Sequence, residues 1–276
     1  MTFSLAVFGN PIAHSLSPQI HQQFAQQTGI ELTYEKVRVE SDEFTHRVED
    51  FFARGGKGLN VTVPHKSLAY ELAGELSAEA KAAQAVNTLF LSETGNLRGE
   101  NTDGWGLLSD IENNLRWSVK DKKVLLLGAG GAAQGVLRNL LDRHPKELII
   151  ANRTFERALD LVNRFGDQRL RACTMNELSE LGAVDIILSA SSGGLDDSEI
   201  NQPFLPAELR TATTCCYDMI YGKPTRFLQW AAEVVPKEQR QDGLGMLIEQ
   251  AARSFQLWFD VEVDTQNVLT QLRASL

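Results

Sequence analysis

Cysteine is scarce: the 276 residues contain only Cys173 and the adjacent pair Cys215 and Cys216. These three make neither a disulfide framework nor a CxxC metal pattern, which points to a reducing compartment. Long apolar runs are missing too, since none approaches the roughly 18 residues of a membrane span. The start of the chain, Met1-Thr2-Phe3-Ser4-Leu5-Ala6-Val7, carries no positive leader of the secretory kind. Basic residues are in deficit: 27 Lys+Arg against 36 Asp+Glu give a net charge of −9, which argues against a nucleic-acid binder. No internal repeat, low-complexity tract or Pro/Gly-rich linker divides the chain. What is present is a globular composition, 43% hydrophobic and 23% charged, at a length that suits two domains. The expectation is a soluble cytoplasmic protein with no membrane or nucleic-acid partner and no metal.

Short β-like runs alternate with helical patterns along the chain. Leu5–Phe8, Leu32–Val39, Leu59–Val63 and Ala85–Leu91 read as strands, separated by helices at Pro18–Gln27, Glu43–Arg54 and Lys66–Leu72. Ser17-Pro18 is a helix start, with serine as N-cap and proline at the first helical position. A second series of strands runs Val124–Leu127, Leu148–Ala151, Val184–Leu188 and Cys216–Met219. Helices at Ala132–Leu141, Phe155–Phe165, Asn176–Leu178 and Thr225–Ala232 go with it, the third preceded by Thr174 and Glu177 at capping-box spacing. Such alternation means parallel βαβ units. Two closing helices, Gly245–Phe259 and Thr265–Ala274, have no strand between them and read as a cover.

The strand Val124–Leu127 runs into Gly128-Ala129-Gly130-Gly131-Ala132-Ala133, a G-x-G-x-x-A turn that opens a helix. The first glycine makes the tight turn, the second lets the backbone approach a pyrophosphate, and the small Ala133 lets helix pack on strand. Helix N-terminal amides then face the phosphates. A bare glycine turn is weak evidence by itself, but strand, turn, helix and second strand together point to a dinucleotide. The second strand ends Ala151-Asn152-Arg153-Thr154-Phe155-Glu156-Arg157, without the carboxylate that holds a ribose 2′-hydroxyl in NAD enzymes. Arg153 and Arg157 stand four apart and suit a 2′-phosphate, so NADP is expected over NAD. The bland alternative makes Thr154 an N-cap and Arg157 a solvated residue paired with Glu156 or Asp160.

Four segments of the first half place polar groups where strands end. They are Gly9-Asn10-Pro11-Ile12-Ala13-His14-Ser15-Leu16-Ser17, Asn60-Val61-Thr62-Val63-Pro64-His65-Lys66, Ala85-Val86-Asn87-Thr88 and Gly99-Glu100-Asn101-Thr102-Asp103-Gly104. Together they offer hydroxyls and amides for a polyol, a lysine, and a carboxylate to hold the lysine. Each has a structural reading as well: Ser17 as a cap, Asn60 and Thr62 as an exposed strand face, Asp103 as a cap, His65 as a core residue. Lys66 stands at a helix start, a poor place for a cation.

Taken together these blocks resemble the signature set of the shikimate dehydrogenase family. Later segments agree in order: Gly128–Ala133, Asn152-Arg153-Thr154, Cys216-Tyr217-Asp218-Met219-Ile220-Tyr221, and Asp242-Gly243-Leu244-Gly245-Met246 with Gln250. The resemblance covers essentially the whole chain. It implies an N-terminal α/β substrate domain, residues 1–103 plus 244–276, and a Rossmann-like doubly wound NADP domain, 104–243, with the C-terminal helices packing back on the substrate domain. It implies NADPH-dependent reduction of 3-dehydroshikimate to shikimate, a step of aromatic amino-acid biosynthesis. Ser15 and Ser17 would take the substrate carboxylate with Tyr221 nearby. Asn60, Thr62, Asn87, Asp103 and Gln250 would hold hydroxyls, and Lys66, oriented by Asp103, would be catalytic. Gly128, Ala129, Gly130, Gly131, Ala132, Asn152, Arg153, Thr154, Arg157, Met219 and Gly243 would line the cofactor. The resemblance is compatible with a monomer or a homodimer.

The chain departs from the family at Ser189-Ala190-Ser191-Ser192-Gly193, where the pattern usually reads Asn-Ala-Thr. Serine loses the amide donors, which puts a contact from position 189 to the nicotinamide side in doubt. Two rivals stand beside this reading: an NAD-using quinate/shikimate dehydrogenase, and a catalytically silent dinucleotide-binding regulator. The second has no need of both Lys66 and Asp103. Finally, the charge is uneven. From Arg138 to Arg171 there are eight Arg+Lys against five acids, an excess of +3 that leaves −12 elsewhere. A basic stretch beside the glycine turn suits a mononucleotide phosphate.

Overall fold

Residues 1–190 and 205–275 are described by this computed structural model, and the chain divides into two units. One is Met1–Leu107 with Leu247–Leu276, the other Leu108–Met246. Both divisions fall inside helices, α5 (Asp103–Ser109) and α9 (Leu244–Phe259). A helix satisfies its own backbone across the division, so no linker composition is needed there.

The first unit runs β1 (Phe3–Gly9), α1 (Ser17–Thr28), β2 (Leu32–Arg38), α2 (Phe44–Ala53), β3 (Gly58–Val61), α3 (Lys66–Leu72), β4 (Glu75–Leu76), α4 (Ala78–Ala83), β5 (Thr88–Leu91) and β6 (Leu97–Glu100). Its sheet has the order β2-β1-β3-β5-β6-β4. β1 is parallel to β2 and β3, while β5 is antiparallel to β3 and β6. Ala6, Phe8, Leu59, Val61 and Leu89 form one face of the core with Phe44, Val48 and Ala69 from the helices. Neither β4 nor β6 was expected from sequence, because a two-residue strand and the run Leu-Arg-Gly-Glu carry no period-two pattern. The strand expected at Ala85–Leu91 begins only at Thr88, so Asn87 precedes the strand instead of lying inside it. α9 and α10 (Thr265–Ser275) belong to this unit apart from the first residues of α9. They dock closely: a Cβ on Gly58 would lie 2.4 Å from the Trp258 ring, and Gln27 exchanges hydrogen bonds of 3.0 and 2.8 Å with the Asp264 backbone. The expected cover is present.

The second unit contains β7 (Lys123–Leu127), α6 (Gly131–Asp142), β8 (Glu147–Ala151), α7 (Phe155–Phe165), β9 (Leu170–Cys173), β10 (Ile186–Ser189), β11 (Cys215–Asp218), α8 (Arg226–Ala232) and β12 (Arg240–Asp242). Every pairing is parallel, in the order β12-β11-β10-β7-β8-β9. Numbered within the unit this is 6-5-4-1-2-3, the doubly wound Rossmann order. The direction of winding reverses between β7 and β10, the point where such sheets bind ligands beyond their strand ends. Leu125, Leu127, Ile149, Ala151 and Ile187 are buried on one face and Leu126, Ile150 and Leu188 on the other, the two-sided burial that makes these strands read as unbroken apolar runs. The edge strands β9 and β12 are short, four and three residues, and sequence periodicity does not register them. The capping box at Thr174 forms: the Thr174 N–H donates to Glu177 Oε2 at 2.7 Å, and the Glu177 N–H to Thr174 Oγ1 at 3.3 Å.

Candidate functional site

Lys66 and Asp103 open two different helices, α3 and α5, of the first unit. An ammonium at a helix N-terminus meets the positive end of the dipole, whereas a carboxylate there is favoured. The pair resolves both positions: Lys66 Nζ donates to Asp103 Oδ2 at 2.5 Å, with side-chain exposures of 20% and 9%. Asp103 therefore does not spend its carboxylate as a cap; the Asn101 side chain takes the Asp103 N–H at 3.1 Å instead.

Around this pair the structure builds an amide and hydroxyl cluster. Asn87 Nδ2 donates to Asp103 Oδ1 at 2.8 Å, and Asn87 Oδ1 accepts the Thr102 N–H at 2.9 Å. Gln250 Nε2 donates to the Leu247 carbonyl at 2.9 Å, which turns Gln250 Oε1 toward Thr102 Oγ1 at 3.3 Å and Asn87 Nδ2 at 3.4 Å. Asn60 is buried, and both ends of its amide are engaged by protein. Nδ2 reaches the Asn87 carbonyl, Thr88 Oγ1 and Ser254 Oγ at 3.2 Å each, and Oδ1 accepts from Tyr34 at 2.7 Å. Thr62 follows β3 and lies against Gly9, where a Cβ would approach its methyl to 2.4 Å. Ser17 starts α1, yet its hydroxyl caps nothing. The helix is capped at Leu16 without a side-chain bond, and Ser17 Oγ instead accepts from Ser15 Oγ at 3.1 Å. His65 keeps the structural place expected of it: it is fully buried, stacked on Phe44 at 5.0 Å, with Nε2 2.8 Å from the Val39 carbonyl.

Four members of this cluster were not singled out in the sequence. Thr102 was passed over beside Asp103, although a polar Asn-Thr-Asp run before a helix was a usable signal. Thr88 read as an ordinary β-branched strand residue. Ser254 lies one turn beyond Gln250 on α9, a spacing that puts both on one helical face. Tyr34 gave no signal at all.

In the second unit, Gly128 adopts φ 108° directly after β7, a backbone region that excludes most side chains. Gly130 caps α6, and a Cβ on Gly130 or Gly131 would meet nothing within 4 Å. The first-turn N–H groups of α6, from Gly131 to Ala133, lack intrahelical acceptors. An open space fronted by donors at the reversal of winding fits a pyrophosphate. At the end of β8, Asn152 Nδ2 donates to the Thr154 carbonyl at 2.8 Å. Thr154 is the N-cap of α7 by position, with no side-chain cap bond.

Four of the eight basic residues of the stretch around this turn are ion-paired. Arg138 pairs with Asp142, Arg143 with Glu112, Arg169 with Asp167, and Arg171 with Glu147. Arg153 and Arg157 have no ion pair among the described residues, not even with Glu156 or Asp160. Three of the four partner acids are already in the count that gives +3, so the excess is lowered only by Glu112, and the two unpaired arginines are its informative part. Their residue types and position suit a 2′-phosphate; a carboxylate for a 2′-hydroxyl is missing from the strand end.

Met219 follows β11, and its N–H donates to the Ser189 carbonyl at 2.9 Å. Gly243 must be glycine because a Cβ would lie 2.3 Å from the Met219 carbonyl oxygen. Tyr221 sits on the same segment, its hydroxyl pushed up by burial. Ser189 is buried at the end of β10, paired with Asp218 of β11 in the sheet register. Ser191, Ser192 and Gly193 lie outside the described residues. All three cysteines are free thiols. Burial pushes Cys215 up to about 11 and Cys216 up to about 12, so both remain protonated. No group of His, Cys, Asp and Glu suited to a metal ion occurs among the described residues. Nor is any described helix long and apolar enough to cross a membrane.

A Rossmann sheet with an open phosphate turn, carried on the same chain as a second α/β unit with a lysine–carboxylate pair, defines a two-unit dinucleotide-dependent oxidoreductase. Family comparisons make the class specific. Residues 7–89 match the shikimate dehydrogenase substrate binding domain, 110–195 the shikimate / quinate 5-dehydrogenase family, and 243–273 the shikimate 5′-dehydrogenase C-terminal domain. A shikimate dehydrogenase (NADP(+)) of Cellvibrio japonicus is 46% identical over 279 residues, covering 100% of this chain and 99% of that protein. Among solved structures, an Ael1 enzyme from Pseudomonas putida aligns with TM-score 0.90 and 42% identity over 98% of both chains. The shikimate 5-dehydrogenase of Thermus thermophilus, solved with NADP(H) and shikimate, aligns with TM-score 0.84 and 33% identity, covering 99% of this chain and 100% of that one. The chain belongs to the shikimate dehydrogenase family.

Proposed function

We propose that the chain catalyses the reversible NADPH-dependent reduction of 3-dehydroshikimate to shikimate. The observation that carries this reading is the Lys66–Asp103 pair set in a cluster of amides and hydroxyls. Reducing a ketone requires a hydride at carbon and a proton at oxygen, and NADPH when bound supplies only the hydride. Lys66 holds the proton: as an ammonium it donates to the developing alkoxide and stabilises its charge, while Asp103 fixes the direction of Nζ. In oxidation the same amine takes the proton back. Asn60, Thr62, Asn87, Asp103 and Gln250 bind the ring hydroxyls, and Ser15 and Ser17 take the carboxylate with help from Tyr221. The first unit is thus the substrate-binding unit and the second the NADP-binding unit.

On the cofactor side, Gly128 through Ala132 hold the pyrophosphate, Asn152, Arg153, Thr154 and Arg157 the 2′-phosphate end, and Met219 and Gly243 the nicotinamide end. Three unpaired thiols suit a cytoplasmic enzyme. The deciding experiment measures oxidation of shikimate and of quinate, each with NADP+ and with NAD+, on the same preparation. Shikimate with NADP+ is expected to give the highest kcat/KM. A preference for quinate with NAD+ overturns the assignment in favour of a quinate-using dehydrogenase, and no turnover in any arm makes the chain a silent dinucleotide binder.

A further inference from the structure

The segment that joins β11 to α8 is tied down almost residue by residue. The Met219 N–H donates to the Ser189 carbonyl at 2.9 Å, and the Ile220 carbonyl accepts the Gly243 N–H at 3.1 Å. Gly222 turns the chain at φ 75° and directs its N–H to Asp242 Oδ2 at 3.4 Å. At the centre is Asp218, the last residue of β11, which is only 1% exposed. Its Oδ1 accepts the Ile220 N–H at 3.1 Å, closing an Asx turn over Met219. Its Oδ2 accepts from Thr225 Oγ1 at 2.6 Å, at the far end of the segment. Thr225 has one hydroxyl proton and gives it to Asp218, while its oxygen accepts the Leu228 N–H at 3.2 Å, the N-cap bond of α8. Asp218 has no ion pair among the described residues. A buried carboxylate without a cation is costly unless hydrogen bonds satisfy it, and both of its oxygens are spent on the segment that follows.

We propose that Asp218 is a positioning residue for the substrate and for the nicotinamide end of the cofactor, its two carboxylate oxygens clamping the segment that presents Met219 and Tyr221. It touches neither ligand; it acts through the residues it brackets. One oxygen fixes the start of the segment through Ile220, and the other fixes its end through Thr225. Met219 and Tyr221 stand on either side of Ile220, so one turn sets the direction of both. The place is the C-terminal end of a parallel strand, where such sheets bind their ligands. Asp242 lies opposite Asp218 in the register of β11 and β12 and braces the other side. Its Oδ1 accepts the Leu244 N–H at 3.3 Å, next to Gly243. A neutral side chain at 218 could close the turn or receive the threonine, but only a carboxylate accepts both bonds with the strength that charge adds.

The inference rests on the reaction and the ligand placements proposed above, and the two fail differently. Absence of NADP-linked shikimate oxidation by the unsubstituted protein would strike the reaction. Asp218→Asn tests the clamp alone: it keeps the size of the side chain, removes its charge and exchanges one acceptor for a donor. Losing one charge-assisted bond is expected to lower kcat/KM for shikimate about tenfold, through a lower kcat and a higher KM together. Adenosine 2′,5′-bisphosphate has no nicotinamide, so its inhibition constant against NADP+ stays within about twofold. An unmoved kcat/KM, or an inhibition constant that rises by the same factor as kcat/KM falls, would overturn the role. Thr225 gives a second reading, which also serves if Asp218→Asn does not fold. Aspartate caps a helix as well as threonine does, so Thr225→Asp keeps the α8 cap but sets a carboxylate against Asp218 where a donor stood. It is expected to lose about tenfold in shikimate kcat/KM. Thr225→Ser both caps and donates, and stays within about twofold of the parent. Parent-like activity of Thr225→Asp, or equal loss in the two variants, would show that Thr225 serves α8 alone and overturn the proposal.

Discussion

Asn87 donates its side-chain amide to Asp103 Oδ1 at 2.8 Å, and the Thr102 backbone N–H, 2.9 Å from Asn87 Oδ1, leaves that amide no other orientation. The carboxylate that holds Lys66 thus receives a donor on each oxygen. Asn87→Asp keeps the shape and the acceptor for Thr102 but sets a second carboxylate against the first. Two carboxyls at that spacing do not both ionise freely. Turnover at neutral pH is expected to fall about 100-fold, the order of a misplaced acid–base group. A kcat–pH profile checks this: the variant should gain a proton-linked step that the parent lacks. A parent-like profile with parent-like kcat would show that the Asn87 amide does not matter to Asp103.

Removing the lysine itself separates chemistry from binding. Lys66→Ala is expected to lower kcat about 10²- to 10⁴-fold, the usual contribution of a positioned acid–base group, with little change in the shikimate KM. Its cost in stability is offset in part, because the cation sits at the unfavourable end of α3. Steady-state kinetics with shikimate and NADP+ decide it, and near-normal turnover would remove Lys66 from the catalytic role.

His21 makes stability depend on acid. It is fully buried, surrounded by Phe24, Tyr34, Phe255 and Trp258, and burial lowers its pKa to about 3. The unfolded chain binds the His21 proton below about 6.5 while the folded chain refuses it until about 3. Stability from this site is therefore complete above about pH 6.5 and declines as pH falls through the window between the two values. From pH 6.5 to 5 the loss is about 1.6 kcal/mol, since the unfolded site is already half protonated at about pH 6.5 and the slope approaches about 1.36 kcal/mol per pH unit only below it. Urea unfolding of the parent and of His21→Phe at those two pH values measures it. The substituted protein should lose less stability on acidification, and equal losses would show that His21 does not carry the linkage.

What the sequence disclosed and what it withheld follow from the range of the interactions involved. The Gly128 turn was readable because strand, turn and helix are contiguous, and Gly128 at φ 108° imposes its residue type locally. Lys66 and Asp103 were readable as polar residues at the starts of helices, one of them in an electrostatically unfavourable place. Ser254 and Tyr34 were not, because their roles arise only when α9 and β2 are brought to Asn60, 194 and 26 residues away along the chain. β4 and β12 are held by neighbouring strands and by no apolar pattern of their own. Net charge misled in the opposite way. The count from Arg138 to Arg171 omits Glu112, which pairs with Arg143 from outside the stretch, and it cannot tell the four paired arginines from Arg153 and Arg157.

Those pairings sharpen the cofactor prediction. Arg153 and Arg157, left without ion pairs among the described residues, stand just beyond β8, and no carboxylate accompanies them at the strand end. A 2′-phosphate is the anion their position suits, and a charge-assisted hydrogen bond to it is worth about 1.5–3 kcal/mol. Arg153→Ala with Arg157→Ala should therefore raise the NADP+ KM at least about 10-fold, at roughly 1.4 kcal/mol per decade, and leave the NAD+ KM within about twofold. The NAD+ arm is what gives the test its force, since disruption of the glycine turn or of α7 would weaken both cofactors alike. Folding should be untouched, because neither side chain has an ion pair to lose among the described residues. Equal loss for the two cofactors would place the 2′-phosphate elsewhere and return Arg153 and Arg157 to the solvated surface of α7.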